Sequence, residues 1–170
     1  MVGTLLNILT ILIGGGLGVV FGERLPRRVR ESVLSGLGLF TIAIGLQMAF
    51  GSQNALITLG SVLVGGLLGE WWQIEEGLKR MGAWLEARFA RSATAEGTAR
   101  FIRGFVSASL IFCVGPMTIL GSIQDGLTGN YQLLAIKAVL DGFAALAFAA
   151  SMGVGVVFSV IVVLVYQGGL

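Results

Sequence analysis

Charge is confined to a few places along this chain, and that confinement limits the fold more than any other feature. Residues 1–22, 32–69, 104–124, 126–136 and 142–170 contain no Asp, Glu, Lys or Arg. Six charges fall within 23–31, eleven within 70–103, and the others are Asp125, Lys137 and Asp141. A hydrocarbon core about 30 Å thick is crossed by about 20 apolar residues in a helix. The first run matches one crossing. The second would be about 57 Å long as a single helix, so it must double back. Gly51-Ser52-Gln53-Asn54 offers the turn.

Six helical spans are expected, at about 2–22, 32–50, 55–72, 103–125, 131–150 and 152–168. Lipid offers the backbone no hydrogen-bond partners, which favours helices. The apolar runs are continuous rather than alternating, which argues against a β-barrel. The expected fold is an all-α polytopic membrane protein forming one transmembrane domain over 1–170. Its first half, 1–91, is joined to the second, 101–170, by a small polar linker at 92–100. A cleavable signal peptide over 1–22 fits less well, because no basic residue precedes the apolar run and further spans follow it.

Composition narrows the function. Charged residues make up 12% of the chain, against about 25% in a soluble domain. There is no histidine and one cysteine, Cys113. A disulfide framework, a zinc finger, a histidine-ligated metal centre and a His-based triad are all excluded. Cys113 has no evident base partner and reads as a small apolar filler. No cofactor, metal, nucleic-acid partner or enzymatic activity is expected.

Orientation follows the basic residues. Arg24, Arg27, Arg28 and Arg30 follow the first span, and Lys79, Arg80, Arg88, Arg91, Arg100 and Arg103 lie between the third and fourth. Both groups fall on the same side when the spans are counted. The N-terminus is therefore expected outside, with 23–31 and 73–102 in the cytoplasm.

Within 71–89, Trp71, Ile74, Leu78, Met81 and Leu85 recur on one helical face, flanked by Trp84 and Phe89. Glu75–Lys79 and Glu76–Arg80 are spaced as i,i+4 pairs. An amphipathic helix at the lipid headgroups is expected, or a docking surface for a cytoplasmic partner. Gly3, Asn7, Gly14, Gly18 and Gly22 share a face of the first span, and Ser61, Gly65 and Gly69 a face of the third. Small residues let helices approach closely in lipid. The stripes imply packing within one chain or a homodimer contact. Gly18 to Glu23 and Gly65 to Glu70 share a Gly-x-x-x-Gly-Glu pattern, a faint echo between two spans. Asn7 and Gln47 are expected to hydrogen-bond between spans rather than to contact a substrate, which is the competing reading.

The stretch 112–142 carries the candidate chemistry. Gly115-Pro116 interrupts the fourth span, because proline lacks an N–H and clashes with the preceding turn. Gly115 lies 12 residues beyond Arg103, about 18 Å deep. Asp141 lies 10 residues beyond Tyr131, about 15 Å deep. A helix break and an acid thus meet near mid-bilayer, where a charge costs about 2.5 kcal/mol or more. Broken helices at that depth hold ions and solutes in transporters. Thr118, Ser122 and Asp125 form a polar stripe after the break, with Asp125 near the outer surface. Lys137, one turn from Asp141, is its expected electrostatic partner, or the two simply neutralise each other.

The block Phe112-Cys113-Val114-Gly115-Pro116-Met117-Thr118-Ile119-Leu120-Gly121-Ser122-Ile123-Gln124-Asp125-Gly126, with Lys137 and Leu140-Asp141-Gly142, resembles the bacterial membrane-protein family catalogued as domain of unknown function 554. Gly14-Gly15-Gly16-Leu17-Gly18, Arg24-Leu25-Pro26 and Gly65-Gly66-Leu67-Leu68-Gly69-Glu70 fit it as well. The resemblance covers essentially the whole chain. It implies a helical protein of the bacterial inner membrane and a transport role, with no assigned substrate. Members of that family run on for another apolar segment, whereas this chain stops at Tyr166-Gln167-Gly168-Gly169-Leu170, so a shorter relative or a piece of a longer protein is expected.

The function expected is therefore a transporter or channel for a small solute or a cation such as H⁺ or Na⁺. Its site would comprise Gly115, Pro116, Thr118, Ser122, Asp125, Lys137 and Asp141. The competing expectation is a membrane scaffold or partner subunit acting through the 71–91 helix and the glycine stripes.

Overall fold

The computed structural model describes residues 2–22, 26–51, 55–90, 94–113 and 115–170. Ser52-Gln53-Asn54 of the expected turn, Arg24, Arg91, residues 92–93 of the linker and the side chain of Pro116 lie outside that description. The described chain is helical, with no strand: α1 (Val2–Phe21), α2 (Arg27–Phe50), α3 (Ala55–Trp72), α4 (Ile74–Leu85), α5 (Ala95–Cys113), α6 (Pro116–Thr128), α7 (Gln132–Met152), α8 (Gly155–Phe158) and α9 (Val160–Gly169).

α1 and α7 are each long and apolar enough to cross a bilayer, and α5 with α6, bent by 59° between them, is together long and apolar enough for a third, broken span or a re-entrant loop. Shorter apolar helices occupy 56–72 and 155–169. The chain is an all-α membrane protein. Three expected boundaries differ: α5 starts at Ala95 rather than at 103, so residues 95–100 of the expected linker are helical, and the second and last apolar segments differ as well. The second span starts at Arg27, directly after Pro26, whose fixed φ suits a helix entrance. The last span is two pieces, because Ser159 donates its hydroxyl to the carbonyl of Val156 at 2.6 Å and takes up a tight turn.

The centre of the molecule is the α1–α7 seam. Gly3 lies against Leu134, Gly14 against Gly142, Gly18 against Leu146 and Ala149, and Gly22 against Ala150. Residue numbers rise together along both helices, so α1 and α7 run in the same direction. The approach is backbone to backbone. A methyl group on Gly14 would land on the carbonyl oxygen of Gly142. α7 matches this with small buried residues, Ala144, Ala145, Ala147, Ala149 and Ala150. The glycine face of α1 is therefore used inside the chain. α5 crosses α7 in the opposite sense, with Gly104 near Met152 and the Phe112 and Phe148 rings 6.5 Å apart. Ile11, Phe112, Ala145, Val156 and Val163 complete this core.

The expected 71–89 helix is interrupted. Gln73 sits at φ 49°, a left-handed conformation uncommon outside glycine. Trp71 consequently belongs to α3, and the amphipathic helix begins at Ile74. Its inner face is covered by protein: Leu85 is buried, and Leu78 and Met81 pack with Phe101 and Phe105. Trp84 and Phe89 remain exposed. Lys79 bridges Glu75 at 3.1 Å and Glu76 at 3.6 Å, so Glu76 turns to Lys79 rather than to the expected Arg80. The hydrogen bond from Lys79 to Glu75 raises the ammonium's pKa above its ordinary value.

Candidate functional site

The break in the third span is built locally. α5 ends at Cys113 and α6 begins at Pro116, with Gly115 extended at φ −168°, ψ 147°. Proline suits the first helical turn, where its missing N–H is not needed. The end of α5 leaves carbonyls without helical partners. Thr118, fully buried, donates its hydroxyl to one of them, the carbonyl of Phe112, at 3.3 Å. Thr118 thus stitches the two half-helices together across the break.

Lys137 and Asp141 are 5% and 7% exposed, and their side chains pair directly. Burial of this depth makes the pair costly to split, since removing one partner strands a charge. Cys113, the last residue of α5, is buried, and α5 and α6 both pack against α7, the helix that carries the pair. The helix break and the ion pair are therefore neighbours. α1 closes the third side: the Asn7 side chain faces the Asp141 carboxylate.

Asn7 is also where an expectation fails. Its Nδ2 donates to Gln167 Oε1 at 2.9 Å, tying α1 to α9. Gln47, the expected partner, is exposed on α2. Both amides are used only in part. Among the described residues, Asn7 Oδ1 and Gln167 Nε2 are buried without a hydrogen-bond partner, and so are the hydroxyls of Ser122 and Ser109. Buried polar atoms are rarely left unmatched, and each one calls for an explanation. Gln167 and Ser109 were not singled out in the sequence. A lone amide in an otherwise apolar last span was the available signal.

Asp125 lies apart from this group. It accepts the Gly3 N–H at 2.9 Å, placing a carboxylate at the positive N-terminal end of α1. Arg100 stands at the opposite end of the seam, donating to the carbonyl of Ser151 at 2.9 Å near the end of α7. A cavity of about 250 Å³ opens there, lined by Gly18, Gly22, Arg100 and Gly153 among others. Gly153 takes φ 82° to turn the chain out of α7, which glycine alone does without strain. Of the seven predicted residues, the structure places Gly115, Pro116 and Thr118 at the break, pairs Lys137 with Asp141 on α7, against which the break packs, sets Ser122 on the next turn of α6 and uses Asp125 to cap α1. Among the described residues, no group of three or more Cys, Asp or Glu side chains is placed to hold a metal ion.

Comparison with known proteins gives a consistent picture. Over 167 residues, 98% of this chain and 71% of the relative, it is 32% identical to the uncharacterized protein YqgA of Escherichia coli strain K12. It is 27% identical to the uncharacterized membrane protein YdfK of Bacillus subtilis strain 168, across its full length and 71% of that relative. No solved structure matches it. The family model described as protein of unknown function DUF554 matches residues 2–170, and the chain belongs to that family.

Proposed function

We propose that the chain is a membrane transporter or channel for a small solute or ion, working at the inner membrane of bacteria with its N-terminus outside. The supporting observation is the buried Lys137–Asp141 pair on the helix against which the broken helix packs, together with buried polar atoms of Asn7, Ser122 and Gln167 that find no partner among the described residues. A purely structural ion pair explains the two charges but not those open atoms. In this reading Asp141 is the charge or proton carrier and Lys137 holds it neutral between cycles. Gly115 and Pro116 keep backbone open at the break, and Thr118 and Ser122 supply hydroxyls. The Asp125–Gly3 contact closes one end of the α1–α7 seam, and Arg100 guards the cavity at the other. No covalent chemistry is involved.

The test is solute and ion flux in vesicles carrying the purified chain. Wild type should conduct above protein-free vesicles, and Asp141→Asn should abolish that flux. Flux unchanged by Asp141→Asn would sink the proposal. The competing reading is a membrane scaffold or partner subunit. It is favoured by the exposed face of α3 and by Trp71 and Trp84, which are 80% and 63% exposed. Gentle extraction should then recover a stoichiometric partner that is lost on altering both tryptophans.

A further inference from the structure

We propose that the solute of this site is a small zwitterion, carrying one ammonium and one carboxylate and no net charge. The inference rests on the transport reading and names its substrate class. Lys137 and Asp141 are both buried and their charges cancel. An entering cation must displace a tethered ammonium from the carboxylate, and an entering anion must displace the carboxylate. Either exchange leaves net charge within hydrocarbon, which is costly. A zwitterion leaves none. Its ammonium takes Asp141, its carboxylate takes Lys137, and one ion pair becomes two.

The amides fit the same guest. Asn7 and Gln167 share one hydrogen bond and leave one acceptor and one donor open. The open acceptor is on Asn7 and the open donor on Gln167; turning both amides over would exchange them. An ammonium has three donors and a carboxylate accepts at two oxygens, so each end needs more than its counter-charge. Asn7 lies beside Asp141, where the ammonium would sit. Gln167 is joined to Asn7, and Ser122 lies one turn beyond Thr118 on α6; both carry open polar atoms that a guest could meet. Size is limited too. Lys137 and Asp141 stand on successive turns of one helix and their charged ends touch, which favours a guest short enough to meet both charges together.

The experiment uses the purified full chain in vesicles of phosphatidylethanolamine and phosphatidylglycerol. Uptake of labelled glycine, L-alanine, β-alanine and 4-aminobutyrate is measured beside labelled sodium, chloride and glycerol. At least one zwitterion should cross faster than in protein-free vesicles. The double variant Lys137→Met/Asp141→Leu removes both charges without stranding either, and should slow that uptake by about 30-fold or more. Ser122→Ala keeps the packing and should raise the half-saturating concentration about tenfold. Sodium, chloride or glycerol flux without any zwitterion flux overturns the substrate class but leaves transport standing. No flux of any probe overturns both. Zwitterion uptake that both variants leave unchanged overturns the assignment to this site.

Discussion

α1 and α3 end on the same Gly-x-x-x-Gly-Glu pattern, yet they are used in opposite ways. In α1 the small face is buried: Gly3, Asn7, Gly14 and Gly18 lie inward, and their neighbours belong to α7 and α9. In α3, Gly65 and Gly69 have no neighbouring atom within 4 Å among the described residues, and Leu63, Leu67 and Trp71 are exposed around them. A stripe of small residues permits close approach but does not attract. What decides is whether another helix presents a matching surface. α7 does so with Gly142 and its run of buried alanines.

The contrast can be broken at four points, measured by reversible unfolding in mixed micelles. The largest effect should come from Lys137→Ala, which strands a buried carboxylate opposite α1. It should cost about 3–5 kcal/mol, and Lys137→Met/Asp141→Leu should recover most of that loss. Gly14→Leu comes next, with about 3 kcal/mol lost, because the side chain meets the Gly142 backbone and neither helix can yield cheaply. A stable, unchanged Gly14→Leu protein would mean that the seam is not as close as described. Asn7→Ala leaves Gln167 without its partner and should cost about 1–3 kcal/mol, less when combined with Gln167→Leu. The smallest effect belongs to α3. Gly65→Leu should change stability by no more than about 0.5 kcal/mol. A larger loss, growing with protein concentration, would show α3 covered by a second copy.

Much of the fold was legible because lipid makes apolar length informative. Five of the expected spans coincide with helices or helix pairs to within a few residues at most ends, and the sixth is cut by a single serine turn. The break at Gly115-Pro116 and the charges at 137 and 141 stood out for the same reason: each is an exception within an apolar run. Partnership was not legible. Asn7 could be recognised as a polar group needing a neighbour, but choosing Gln167 over Gln47 depends on how distant helices assemble. The same holds for the two glycine stripes, which look alike until α7 is in place. The start of the amphipathic helix was misjudged because periodicity runs through Gln73, whereas the backbone there turns left-handed.

The seam also constrains how the protein can be made. α1 emerges from the ribosome before α7, but its N-terminal cap comes from Asp125, 122 residues beyond Gly3, and Asn7 is joined to a residue 160 positions away. Contacts so distant in sequence form late. Until α7 and α9 have been inserted, a helix whose inner face carries an amide and a row of glycines has no proper neighbour in the bilayer. A ribosome paused before α7 would therefore hold a chain in which α1 is inserted but unassembled.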